Sequence, residues 1–264
     1  MIKPVLLIRA ENNETDQTAL TKLGIPSLID PYLEIRVSED TTEGEQLLSL
    51  LEGSDDPVWL IATSVNAFRF WSQIVGADRL RLAIKNHPRV KFAAVGQATA
   101  NVLRDFGADE VLISREFTGK SLADDLLAEN SVGHAIVPGG NLAMKSLPTT
   151  LESSGWKVST ATVYTTSPVE KEPLSVPMIK NKEVSAILFR SPSAVRALTH
   201  YVPKPEVDLV CIGPTTAKAL TDQGLMPVAV SPGPSSEVVA SAIYSLLFRK
   251  TPLEDKKAGD HGNY

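Results

Sequence analysis

The chain has a single cysteine, Cys211, so no disulfide can form within it, which fits a reducing compartment. Histidine is also scarce: His87, His134, His200 and His261 are scattered without metal-ligand spacing. There is no Gly-x-Gly-x-x-Gly and no Walker sequence, which disfavours a nucleotide cofactor. No apolar run approaches a membrane span, and the opening "MIKPVLLIRAENNE" is too weakly apolar before Arg9 for a signal peptide. Basic charge is in deficit, with 26 Lys and Arg against 31 Asp and Glu and a formal net charge of −5. That argues against nucleic acid as a partner, because holding phosphates needs a basic face. No Ser/His/Asp or Cys/His pattern has motif spacing, and Glu14 and Asp16 lack the apolar setting of a tuned general acid. Cys211 sits in the apolar run "VDLVCIG" and reads as an inert buried thiol. These absences leave a soluble cytoplasmic α/β protein without a protein-bound metal as the expectation, and a monomer is expected besides.

Hydrophobic residues make up 43% of the chain, enough for a large core. Short β-rich runs such as "PVLLIR", "PVWLIA", "VKFAAV", "HAIV", "SAILF" and "VDLVCI" alternate with amphipathic stretches. That alternation predicts parallel sheets with crossover helices. Helices are expected near 16–23, 42–51, 65–75, 98–106, 121–127, 142–153, 194–201, 215–223 and 237–247. "TEGE" at Thr42–Glu45 fits a capping box at the second of these. Trp59, Trp71 and Trp156 lie in or beside apolar runs and read as core.

The chain repeats itself. "GQATANVLRDFG" begins at Gly96 and "GPTTAKALTDQG" at Gly213, each Gly-x-x-Thr-Ala-x-x-Leu-x-x-x-Gly between two apolar runs. A Ser-x-x-Ala unit precedes each, at Ser64 and Ser191. The N-terminal strand has no partner nearby in sequence, so it is expected to complete the C-terminal half. The middle then becomes an inserted domain. The expected division is 1–34 with 168–249 as a discontinuous first domain and 35–167 as the second, with 250–264 a disordered tail. The crossings fall at Asp30–Val37 and Thr160–Val169, and two such hinges would let the lobes move.

Six turns at predicted strand ends are rich in Gly, Ser and Thr: "ATSVN", "VGQAT", "PGGN", "RSPS", "IGPTT" and "SPGPSS". Ligands of open α/β sheets bind at such ends, and helix N-termini favour anions. For any one turn, simple capping is the plainer explanation. Together they suggest a cleft lined by backbone donors, with Ser64, Gly96, Gly139, Gly140, Asn141, Ser191, Ser193, Gly213 and Thr215 as substrate-binding candidates. Arg9 and Arg190 end strands and could meet a carboxylate, although surface arginine is the commoner case. Tyr164 in "TATVYTT" reads first as a half-buried strand aromatic, second as a phenol that exchanges a hydrogen bond beside the cleft.

At "CIGPTTAKAL", "VPGGNLAMKSLPTTLESSGWKVSTATVYTT" and "FRSPSAV", the chain resembles the uroporphyrinogen-III synthase family, and the resemblance runs from about Pro4 to Leu247. It implies a two-lobed protein of two parallel-sheet α/β domains joined by a two-stranded β-ladder. It further implies conversion of the linear tetrapyrrole hydroxymethylbilane to uroporphyrinogen III with loss of water. Ring D is inverted on the way, through a spirocyclic intermediate, and no cofactor is used. The matching positions are Tyr164, Thr99 and Thr216 as catalytic candidates, with Ser64, Ser191 and Ser193 facing the cleft. Ala10 stands where many relatives carry proline, and Asn66 where some carry arginine. Two readings from other classes stay open beside it: a non-catalytic two-lobed module for a small polycarboxylate, and a regulator built on the same domains.

Overall fold

The computed structural model describes residues 2–53, 56–116, 118–129 and 132–248. The expected disordered tail, 250–264, lies outside them. In chain order the elements are β1 (Val5–Leu7), α1 (Asn13–Lys22), β2 (Ser27–Ile29), β3 (Leu33–Val37), α2 (Thr42–Glu52), β4 (Val58–Ala62), α3 (Val65–Val75) and α4 (Ala77–Asn86). Then come β5 (Val90–Ala94), α5 (Gln97–Asp105), β6 (Leu112–Ile113), α6 (Gly119–Ala128), β7 (His134–Gly140), α7 (Ser146–Ser153) and β8 (Lys157–Pro168). The chain finishes with α8 (Val176–Lys180), β9 (Ala186–Phe189), α9 (Pro192–Tyr201), β10 (Asp208–Cys211), α10 (Pro214–Asp222), β11 (Ala229–Val230) and α11 (Ser236–Leu247).

The structure divides into two compact units, one of residues up to Glu34 together with those from Ser167 on, the other Ile35–Thr166. The first holds a five-stranded sheet in the order β11-β10-β9-β1-β2, all its pairs parallel. The N-terminal strand therefore sits inside, next to one edge of, a sheet otherwise made mostly by the C-terminal third of the chain. The second sheet runs β3-β8-β7-β4-β5-β6. Its pairs from β8 to β6 are parallel. Strands β3 and β8 each continue from one unit into the other. Ser38 N–H donates to Val163 O and Val169 N–H to Tyr32 O, so these two strands run antiparallel.

The central strands β1, β4 and β9 are buried on both faces, as crossover helices require. In β4, Val58, Leu60 and Ala62 join Phe68, Trp71 and Phe92 on one face, whereas Trp59 and Ile61 join Leu122, Leu147 and Trp156 on the other. In the first unit, Leu6, Ile187, Phe189 and Cys211 face α9 and α10, and Leu7, Leu188 and Val210 face α1 and α11. The three tryptophans are core residues, as their runs suggest.

Local differences from the sequence reading have local causes. Helix α4 was not expected. Gly76, at φ +86°, breaks the run after Val75, and a second helix restarts with only Leu80, Ala83 and Ile84 buried. Short β2 and α8 also carry too few residues for a periodic signal. Helix α7 begins at Ser146 rather than 142, because the preceding loop is bound to β8 as described below. The capping box does not form. Asp40 Oδ1 accepts the Thr42 N–H at 2.9 Å, and Glu45 N–H goes to the Thr41 carbonyl.

Cys211 is fully buried in β10, and burial pushes its thiol up to about 11. It therefore stays protonated and shielded in the native protein. A thiol reagent at about pH 8 should leave it unmodified until denaturant is added, then react with one equivalent. Rapid modification of the native protein would contradict its placement.

Candidate active site

The sheet of the second unit changes winding direction once. From β4 the chain moves through α3 to β5 on one side, whereas β7 and β8 add on the other side. Helix α3 follows β4 and packs on the Phe68 and Trp71 face, and α7 follows β7 and packs with Leu147 and Leu151 on the opposite face. Because β4 and β7 are neighbours, the chains leaving their carboxyl ends part to opposite faces. The gap between them is the standard ligand position of an open α/β sheet.

Tyr164 stands at this gap. Strand β8 pairs with β7 in register up to Gly139 with Thr162, then slips by one residue so that Gly140 faces Tyr164. A bulge of this kind turns a side chain from its alternating direction. Val163 and Tyr164, although consecutive, consequently pack on the same core face. The Tyr164 ring stacks on Phe70 of α3 with centroids 5.5 Å apart, and its hydroxyl lies 3.3 Å from Ser64 Oγ. It also lies directly over Gly140. A Cβ at that position would meet the ring 2.5 Å from Cε2 and 2.9 Å from the hydroxyl oxygen. Asn141 then ties the turn to β8. Its N–H donates to Tyr164 O, its Nδ2 to Thr166 O, and its Oδ1 accepts the Thr166 N–H at 2.8 Å. The structure thus brings Ser64, Gly139, Gly140, Asn141 and Tyr164 into one group.

The helix starts divide into two kinds. Ser64 caps α3, its Oγ accepting the Ala67 N–H at 3.1 Å. Ser191 caps α9 in the same way through Ala194, and its Oγ is 2.8 Å from Ser193 Oγ. At these two turns the capping explanation holds. Helices α5 and α10 start instead from Gly96 and Gly213, which offer no side-chain cap. Their first helical bonds are Ala100 N–H to Gly96 O and Ala217 N–H to Gly213 O. The donors before these have no acceptor within the helix. In α10, Pro214 has no N–H, so exposed Thr215 and buried Thr216 carry them. Thr99 and Thr216 occupy the same third helical position and are 7% and 3% exposed.

The first unit changes winding direction between β1 and β9. Here the turn groups are charged. Arg190 donates to both oxygens of Asp16, to Pro234 O and to Ser236 Oγ, while Ser236 Oγ donates to Asp16 Oδ1 at 2.6 Å. Asp16 is 1% exposed, yet its surroundings are not apolar: its carboxylate is met by Arg190 and Ser236 from distant turns. Arg190 is equally no surface arginine, its side chain being 9% exposed. Arg9 approaches Asp16 at 3.9 Å with its side chain 32% exposed. Burial, then the like charge of Arg190, lowers the Arg9 guanidinium pKa, with Asp16 and Glu14 opposing. Two guanidinium groups share one buried carboxylate, and Arg9 is the one still open to solvent. Asn13 fixes the Arg9 backbone by accepting its N–H and donating to its carbonyl, which starts α1 three residues earlier than expected.

Sequence reasoning set Asp16 aside and took Ser236 only as part of "SPGPSS", because their meeting with Arg190 joins residues far apart in the chain. The Gly140–Tyr164 contact was also hidden, although the "GG" in "PGGN" was a signal for close backbone approach. A concavity of about 1440 Å³ lies at the amino end of the second unit's sheet, lined by Arg81, His87, Lys91, Phe106 and Asp109. It contains none of these turns. Gly140→Ala should push the Tyr164 ring off Phe70 and lower stability in urea by about 1–3 kcal/mol. Parental stability with unmoved Tyr164 ring resonances would mean that the ring does not rest on Gly140.

Crystal structures of uroporphyrinogen III synthases share this fold. One from Thermus thermophilus is 19% identical, covers 93% of this chain and 100% of its own, and has a TM-score of 0.64. One from Helicobacter pylori is 20% identical over 93% of this chain and 100% of its own, with a TM-score of 0.57. The model of the family described as uroporphyrinogen-III synthase HemD matches residues 14–240, a span that contains Tyr164, both glycine–threonine repeats and the winding reversal of the second unit. The chain belongs to the uroporphyrinogen-III synthase family.

Proposed function

We propose that hydroxymethylbilane is held through its carboxylates at the glycine-started helices α5 and α10 and at Arg9, and that Tyr164 assists departure of its hydroxyl. The reaction closes the linear tetrapyrrole to uroporphyrinogen III, inverts ring D and releases water. The observation that carries the site assignment is the Tyr164 phenol, held by Gly140, Phe70 and Ser64 at a winding reversal. A phenolic O–H aimed at the leaving oxygen stabilises it as the C–O bond breaks, and the oxygen departs as water, its added proton balanced by the N–H proton that the same pyrrole ring loses. The resulting azafulvene carbon is attacked by the substituted carbon of ring D. The other isomer forms spontaneously, so the protein's task is chiefly to hold the chain for the inverted attack. Gly96 and Gly213 leave their helix ends open to carboxylates. Ser64 and Ser191 spend their side chains on capping, and Ser193, Gly139 and Asn141 shape the turns. Thr99 and Thr216 place hydroxyls beside the open ends. A net-acidic monomer in the cytoplasm, acting without nucleic acid, fits this reading, since the attraction is local rather than global.

Tyr164→Phe keeps the ring on Phe70 and removes only the hydroxyl. Isomer analysis of the porphyrin formed from hydroxymethylbilane should show type III for the parent and a rate lowered roughly tenfold or more for the variant. An unchanged rate would return Tyr164 to a packing role.

Gly213→Ser addresses the open helix end. Gly213 has an extended backbone, φ −178°, and a Cβ there meets nothing within 4 Å. A serine can therefore cap α10 as Ser191 caps α9, leaving stability equal or a few tenths of a kcal/mol higher. Product affinity should fall roughly tenfold as the new side chain competes with a carboxylate. Undiminished affinity in the folded variant would show that α10 receives none.

A further inference from the structure

The turn that follows β7 carries side chains that the proposed chemistry leaves unused. Leu142 and Met144 are 50% and 74% exposed, and Val65, the first residue of α3, is 39% exposed. All three lie within a few residues of groups that bond Tyr164. Leu142 lies between Asn141, whose N–H donates to Tyr164 O, and Ala143, whose N–H donates to Gly140 O. Val65 follows Ser64, whose hydroxyl meets the Tyr164 hydroxyl. Scattered exposed aliphatic residues are ordinary, whereas apolar residues gathered at the rim of a site mark a contact surface.

The turn is also held firmly. Asn141 makes three hydrogen bonds to β8, and Ala143 packs against Gly139, where a Cβ would come within 3.3 Å of Ala143 Cβ. The Leu142 backbone, bracketed by Asn141 and Ala143, is thereby fixed relative to the phenol. Lys145, next in the chain, adds an ammonium group at the start of α7. A flat apolar ring that bears carboxylates matches this combination of apolar surface and one cation. Methionine suits it further, because a thioether packs adaptably on aromatic faces.

We infer that Leu142, Met144 and Val65 form an apolar platform on which one pyrrole ring of the linear tetrapyrrole lies, with Lys145 taking a carboxylate of that ring. The inference rests on the proposed function and adds a residue set that selects for the substrate ring rather than for its charge. Carboxylates at open helix ends hold the edge of the substrate. The platform holds its face and sets the ring against Tyr164.

The test compares the parent with a Leu142→Ser/Met144→Ser double variant and a Leu142→Ile/Met144→Leu control, using hydroxymethylbilane and following type III product. Both side chains are exposed, so unfolding midpoints should coincide. The serine variant should raise KM roughly tenfold with kcat within about twofold, and the control should match the parent. A parental KM in the folded serine variant overturns the platform and leaves the proposed function standing. A fall in kcat at constant KM also overturns it, since the turn then acts only by positioning Tyr164. A parent that forms no type III product takes down the proposed function and the platform together. Met144→Ser alone, which touches no core residue, should move KM in the same direction by a smaller factor.

Discussion

Each sheet reverses its winding once, and the position of that reversal governs what stands at its carboxyl edge. Where neighbouring strands send their helices to opposite faces, the backbone opens and no crossover covers the gap. In the second unit the opening lies between β4 and β7, and Tyr164 borders it from β8. In the first it lies between β1 and β9, and the Asp16–Arg190 pair sits there. The turn chemistry follows from this geometry: an aromatic hydroxyl at one reversal, a shared carboxylate at the other.

The two reversals are stabilised differently. Tyr164 is positioned by shape, since Gly140 lacks a side chain, the bulge turns the ring and Phe70 stacks beneath it. Asp16 is positioned by charge and joins three turns at once: the start of α1, the end of β9 and the start of α11. A buried carboxylate is tolerated only when its charge and lone pairs are met, and Arg190 with Ser236 meets them. This arrangement leaves Arg9 as the solvent-accessible cation of the group. A net-acidic chain can thus present cationic and N–H donor groups locally while its overall charge repels anions.

Much of the fold was legible because it is written in local pattern. Fully apolar runs of four to five residues predicted buried parallel strands, and Val65–Val75 was read to the residue, with Ser64 as its cap. The paired Gly-x-x-Thr-Ala units identified equivalent helix starts before any coordinates. Helix α4 went unread although Leu80, Ala83 and Ile84 have helical spacing, because it follows α3 after the single residue Gly76 and no strand separates the two. The proposed capping box failed for a different reason: a nearby aspartate, Asp40, satisfies the helix end first.

By itself the sequence determined the alternation of strand and helix, the internal repeat, the inertness of Cys211 and, through ordered motifs, the family. Those properties depend on neighbours within a few residues or on comparison between segments. What only the tertiary structure decided depends on residues far apart in the chain. Ser64 meets Tyr164 across 100 positions, and Arg190 meets Asp16 across 174. The one-residue slip between β7 and β8 decides which face Tyr164 occupies, and no propensity records such a slip. Side-chain direction along a strand alternates residue by residue, so register, a property of the paired strands together, places the phenol over Gly140.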